Sequence, residues 1–237
     1  PRPAAALLAA GDAGVEGRLV IDGEAATRRS FNLIGRLEGR GPPLVVSTPR
    51  TGWTRAVAER GPGVAVWSAL ASWAPAALPR HDLIFLSTTA HEFDNAGGLQ
   101  FLEQRAPKPQ AVALWAHLGA GFASRGWREG PDGTLTQLTS ADPQRRLMGT
   151  DDLVELLKAR FSGQPGLADV GAASAGGAAG ELAEILSHGY APAFGLFGGH
   201  AFHHVQADGL DKADAALVRE VALSVQASIA EILGARA

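Results

Sequence analysis

Short apolar runs alternate with stretches of helical spacing along most of this chain, and that alternation limits its fold more than any other feature. "FNLIGRL" (31–37), "PLVVST" (43–48), "DLIFLST" (82–88), "AVALWAH" (111–117) and "AFGLFG" (193–198) are bounded by Gly, Pro or charge and read as buried strands. Between and after them, "GVAVWSALASWAPAAL" (63–78) keeps helical spacing until Pro75, and "TDDLVELLKARF" (150–161) opens on Thr150 and two acids, a good helix start. "GELAEILSHGY" (180–190) reads as a helix closing at Gly189, and "DAALVREVALSVQASIAEILGA" (214–235) as a long C-terminal helix with a wide apolar stripe. The Gly/Ala-rich "DVGAASAGGAAG" (169–180) reads as a loop. Strands joined through helices need crossovers, which predicts an α/β fold: three α/β/α layers with a mostly parallel mixed sheet and helices on both faces. No repeat or boundary divides residues 1–237, so a single domain is expected, with the Ala-rich 1–28 read as the tail of a longer N-terminal region.

At 237 residues and 46% hydrophobic, the chain is ample for one real core. A net charge of -3 and a pI near 6.2 carry no basic bias, which argues against nucleic acid as a partner. Apolar runs such as "VALWAHLGAGFA" fall short of the roughly 20 residues that cross a bilayer, so no membrane span is expected. Without an initiator Met or a complete signal peptide, localisation stays open between the cytoplasm and export with a trimmed signal. Cysteine is absent, so any metal must be held by His, Asp or Glu.

In parallel sheets polar sites collect beyond the carboxyl ends of the strands. His91-Glu92, His117 and "GGHAFHH" (198–204) each follow a strand by a few residues. His91-Glu92 reads either as part of a metal site or as two polar residues where the chain surfaces. His81 and His188 suit surface or capping roles. On a strand His203 and His204 would face opposite ways, so at most one would enter a given site. Trp53 and Trp115 lie beside the suspected site segments. Neither a phosphate loop, nor a GxSxG elbow, nor HExxH is present.

Taken in order, these segments resemble the co-catalytic zinc aminopeptidases, the fold group of bacterial leucyl aminopeptidases, glutamate carboxypeptidase and glutaminyl cyclases. "SFNLIGRLEGRGPPLVVS" resembles the family's entry strands, and "ERGPGVAVWSALA" is similar to its D-N-x-S-G-V-A helix start. "DLIFLSTTAHEFDNAGGLQFL" resembles its strand, Glu-Glu pair and following helix, and "AVALWAHLGAG" lies where it has N-L-D-M-I-G. "GELAEILSHGYAPAFGLFG" is similar to its S-D-H segment, and "FHHVQADGLDKAD" resembles its closing Y-H-T-x-x-D-T-x-D-K-V-D. The resemblance runs from about residue 30 to the C-terminus and implies a zinc-exopeptidase-like (phosphorylase/hydrolase-like) fold.

The resemblance also implies that the metal positions have changed. Pro49 stands at the family's ligand histidine and Thr51 at the aspartate two residues on, while Glu59 takes the place of the bridging Asp. The Glu-Glu pair becomes His91-Glu92 and the N-L-D aspartate becomes His117; Glu92 and His204 keep both chemistry and place. One zinc ion is then expected on Glu92 and His204, completed by Glu59 or His117. His91 is expected to serve as the general base, with Trp53, Glu181 and His203 binding substrate. A metal-dependent hydrolase acting on a small amide or peptide follows. Two alternatives stay open: a catalytically inactive binding domain of the same fold, and a non-hydrolytic enzyme built on it.

Overall fold

The computed structural model describes residues 2–234. In chain order the elements are α1 (Arg2–Asp12), β1 (Leu33–Leu37), β2 (Gly41–Pro49), α2 (Val57–Ala77), β3 (His81–Thr88), α3 (Ala96–Gln104) and β4 (Leu114–Leu118). There follow β5 (Arg125–Glu129), β6 (Leu135–Ala141), β7 (Arg146–Gly149), α4 (Val154–Arg160), β8 (Val170–Ala172), α5 (Glu181–Ser187), β9 (Ala193–Phe197) and α6 (Ala215–Ile232). Seven strands form one sheet in the order β1-β3-β2-β4-β9-β7-β8, and β5 with β6 forms a separate hairpin. β3, β2, β4 and β9 run parallel at its centre, whereas β1 and β7 join antiparallel. This is the mixed, mostly parallel sheet that the alternation predicts.

Strand alternation divides the interior into two layers. Leu44, Val46, Leu83, Phe85, Leu114, Ala116, Leu118, Phe194 and Leu196 face the side covered by α2, α4 and α6. Val45, Ile84, Leu86, Trp115, Ala193 and Phe197 face α3 and α5, whose Phe101, Leu102, Leu182 and Ile185 close the second core. β1 is exposed along its whole length, and residues 15–32 form neither helix nor strand. Among the described residues, no helix is long and apolar enough to cross a membrane.

Four local readings of the sequence are corrected. α2 begins at Val57 rather than Gly63 and runs through Gly61-Pro62-Gly63, so the residues that look like a breaker lie inside it. At its other end Pro75 does not stop the helix, because it lies on the exposed side of the last turn, where it costs one hydrogen bond. The supposed loop 169–180 contains β8, held by pairing with β7 rather than by local propensity. Around the 3-10 turn Asp151–Leu153, the helix expected from Thr150 becomes regular only at Val154. The C-terminal helix expected over 214–235 ends at Ile232, with residues 233–234 in a turn; residue 235 itself lies outside the described residues.

Candidate functional site

The parallel strands β2, β3, β4 and β9 end together, and their carboxyl ends deliver Thr51, Thr88 to Glu92, His117 and the 198–204 segment to one edge of the sheet. Between β3 and α3 the chain turns through three left-handed residues, Ala90, Asp94 and Asn95. Asn32 holds this turn by accepting from Thr89 N at 3.0 Å and donating to Gly97 O at 2.8 Å. Thr51 joins its two polar residues: its Oγ1 accepts from His91 N at 3.3 Å and donates to Glu92 Oε2 at 2.7 Å.

Glu59 and Arg60 occupy the first turn of α2. Asp208 holds that turn by accepting from Ala58 N at 2.8 Å and Glu59 N at 3.0 Å. The helix lies close against the strand ends because residue 63 is glycine. A Cβ there would stand 2.5 Å from Thr48 Oγ1 and 3.0 Å from Leu118 O. Arg60 Nη2 then reaches Glu59 Oε1 at 2.9 Å and Glu92 Oε1 at 3.1 Å, all three side chains being nearly inaccessible. Its Nε donates to Thr51 O at 2.7 Å, which fixes the plane of the guanidinium. Burial opposes ionisation of Glu92, yet the Thr51 hydroxyl, a backbone hydrogen bond and Arg60 outweigh it and hold the carboxyl below its ordinary value.

A second polar group lies on the α5 side. His91 Nδ1 is 3.1 Å from Glu181 Oε1, and the Thr88 hydroxyl points at both oxygens of the same carboxylate, at 2.8 and 3.1 Å. Burial again opposes ionisation of Glu181, but the hydrogen bond from His91 and the nearby imidazoles prevail and lower its pKa. His117 is fully buried within β4. Trp115 Nε1 donates to Ser47 Oγ at 2.8 Å, and the same hydroxyl pairs with His117 Nδ1 at 2.9 Å. Burial lowers the pKa of His117 to about 4, with Glu181 opposing and His91 and Arg60 reinforcing, so the ring is neutral at pH 7.

The 198–206 segment is a series of turns, not a strand, and His204 takes a left-handed φ of 62°. This overturns the opposite-facing reading of its histidines: the rings of His203 and His204 meet at 4.0 Å, tilted by 30°. A carboxylate oxygen of Glu59 and one ring nitrogen from each of His203 and His204 lie within 4.8 Å of one another. His204 Nε2 is 3.4 Å from Glu59 Oε1. His203 Nδ1 is buried without a hydrogen-bond partner and Glu59 Oε1 has its ion-pair contacts with Arg60 and His204, while His204 is half exposed and opens the cluster to solvent. His200 lies behind them, its Nε2 3.7 Å from Asp208 Oδ2.

The residues singled out from the sequence thus fall into two groups. Glu59, His203 and His204 converge, with Glu92 joined to them through Arg60; His91 and His117 gather around Glu181 and do not belong to the convergent set. Trp53 stands apart on the surface, 61% exposed, with its ring 6.2 Å from that of the equally exposed Phe93. Sequence reasoning missed Arg60, Asp208, Thr88 and Ser47. Asp208 lies in the "DGLDKAD" stretch that carries the resemblance and could have been found there; the other three had no signal of their own.

A two-zinc centre does not fit these residues. Pro49 offers no side-chain donor, the Thr51 hydroxyl is committed to Glu92, the His117 Nδ1 is committed to Ser47, and the Arg60 guanidinium lies between the two carboxylates. The donor set Glu59, His203 and His204 does fit a single zinc-like ion, having one carboxylate, two imidazoles and an open side.

No protein-family model matches the chain, and no curated protein matches it by sequence. Solved structures match it in shape. An aminopeptidase from Aneurinibacillus sp. strain AM-1 superposes with a TM-score of 0.66 at 15% identity, over 86% of this chain and 48% of its own. BSAP, a zinc aminopeptidase from Bacillus subtilis, gives 0.64 at 10% identity, over 87% of this chain and 50% of its own. The Porphyromonas gingivalis glutaminyl cyclase gives 0.60 at 13% identity, over 84% of this chain and 77% of its own. The chain spans about half the length of the aminopeptidases it matches. These likenesses, with the sheet order and the two helical layers, identify the architecture as the zinc-exopeptidase-like α/β/α fold.

Proposed function

We propose that this chain is a peptidase-like hydrolase that acts on a small amide or peptide and holds at most one divalent ion, on Glu59, His203 and His204. The observation that carries the reading is the convergence of these three side chains, with His203 Nδ1 buried and without a hydrogen-bond partner. Zinc held by these three residues would supply Lewis acidity towards a carbonyl oxygen and a water molecule. His91, oriented through Nδ1 by the Glu181 carboxylate, holds the proton-accepting position with its Nε2. Trp53 and Phe93, the latter next to Glu92 in sequence, offer an exposed apolar surface for a substrate side chain.

The test is zinc content of tag-free protein together with hydrolysis of aminoacyl amides and small esters. About one ion per chain is expected, lost in His204→Ala, with turnover falling about 10²-fold or more in His91→Ala. Wild-type protein that takes up no zinc and turns over none of these substrates removes the reading. A binding domain without catalysis is the second reading, favoured by Arg60, whose cation already balances Glu59 and Glu92.

A further inference from the structure

We propose that Arg60 is the resident cation of the Glu59–Glu92 half of the site, and that its guanidinium keeps a divalent ion out of the space between these carboxylates. The inference goes beyond the single-ion reading and does not need it. One atom, Arg60 Nη2, reaches an oxygen of each carboxylate, at 2.9 Å for Glu59 and 3.1 Å for Glu92. An ion bridging the same two oxygens would sit about 2.0–2.2 Å from each, in the region the guanidinium fills.

The arginine has little freedom to leave. Its Nε donates to Thr51 O at 2.7 Å, and the Thr51 hydroxyl holds the far oxygen of Glu92 at 2.7 Å. Asp208 fixes the helical turn from which Arg60 springs. A divalent ion approaching Glu92 would have to displace this buried cation or lie against it, and charge repulsion opposes the second arrangement. The Glu59 oxygen that faces His204 is Oε1, the one Arg60 Nη2 already holds, so an ion on the histidine side would share that oxygen with the guanidinium.

An ordinary structural ion pair predicts only lost stability when Arg60 is removed. The proposal predicts a gained site. Cobalt(II) titration, read by absorption and by metal content, should give one more ion per chain in Arg60→Ala than in the wild type. Adding Glu92→Gln in that background should remove the gained ion. Because metal binding couples to folding, cobalt should also raise the thermal midpoint of Arg60→Ala more than that of the wild type. An Arg60→Ala chain that gains no ion, folded or not, overturns the proposal. A second variant tests it in the intact chain: Glu92→Gln alone should leave metal affinity within about twofold, whereas a loss of about tenfold or more would make Glu92 a ligand despite Arg60 and overturn it too. Wild-type protein without metal sinks the hydrolase reading alone; Arg60→Ala without a gained ion sinks this one.

Discussion

Arg60 Nη2 lies 3.1 Å from Glu92 Oε1, with both side chains 6% exposed, although Arg60 belongs to α2 and Glu92 to the turn between β3 and α3. The same nitrogen serves Glu59, so one cation answers two buried carboxylates. Arg60→Met should therefore destabilise the fold by about 3–5 kcal/mol, since it leaves both charges uncompensated. Urea unfolding at pH 7 measures this, and a loss below about 1 kcal/mol would mean that the carboxylates find water or protons instead.

His117 sets a pH limit. An unfolded chain protonates this residue near 6.5, whereas burial holds the folded value at about 4. Its contribution is flat above pH 6.5, and native stability falls as pH drops between those values, by about 1.4 kcal/mol per unit in the steep part. Urea midpoints for wild type and His117→Gln should diverge at pH 7 and converge towards pH 5. An NMR titration showing His117 protonated in the native state above pH 6 would refute the assignment.

Glu181 orients His91 through a bond to Nδ1. If His91 is the base, Glu181→Gln keeps the shape but weakens that orientation, and kcat for an aminoacyl amide should fall about 10²-fold with KM little changed. Glu181→Asp should recover part of it. A change confined to KM would place Glu181 in substrate binding instead.

Trp53 and Phe93 pair at the surface with ring centroids 6.2 Å apart, both largely exposed. Trp53→Ala should shift unfolding free energy by less than about 0.5 kcal/mol. It should also raise KM for substrates with an apolar side chain about 2–10-fold, the value of one aromatic contact. Equal KM values for apolar and polar substrates in the wild type would leave the pair without a role in binding.

Gly63 lets α2 lie against the strand ends. Gly63→Ala drives a methyl into Thr48 and the Leu118 carbonyl and should cost about 1–3 kcal/mol in urea unfolding. The shift should also move Glu59 relative to His204, so metal affinity should fall alongside stability.

The layered fold is legible because its apolar runs are long enough to name their own faces; Val45 and Val46 already point to different cores. Irregular pieces are less so. β8 exists only because β7 pairs with it, and no pattern in "DVGAAS" announces that. The site was legible where a strand delivers polar residues past its end, as at His91-Glu92. It was illegible where a role depends on a partner far away in sequence. Arg60 reads as one more helical charge until Glu92 and Thr51 are folded against it. His203 and His204 were misread because a single left-handed residue, His204, cancels the alternation that a strand would impose.

Asp208 gives the cluster a timetable. It is separated by 150 residues from the helical amides it accepts, so the contact that fixes Glu59 and Arg60 is among the slowest kind to form. A nascent chain can complete β2, α2 and β3 long before residue 208 has been synthesised, and through that interval Glu59 and Arg60 lack their anchor. The geometry of Glu59 and Arg60 at this edge of the sheet is thereby deferred until the segment around residue 208 has docked.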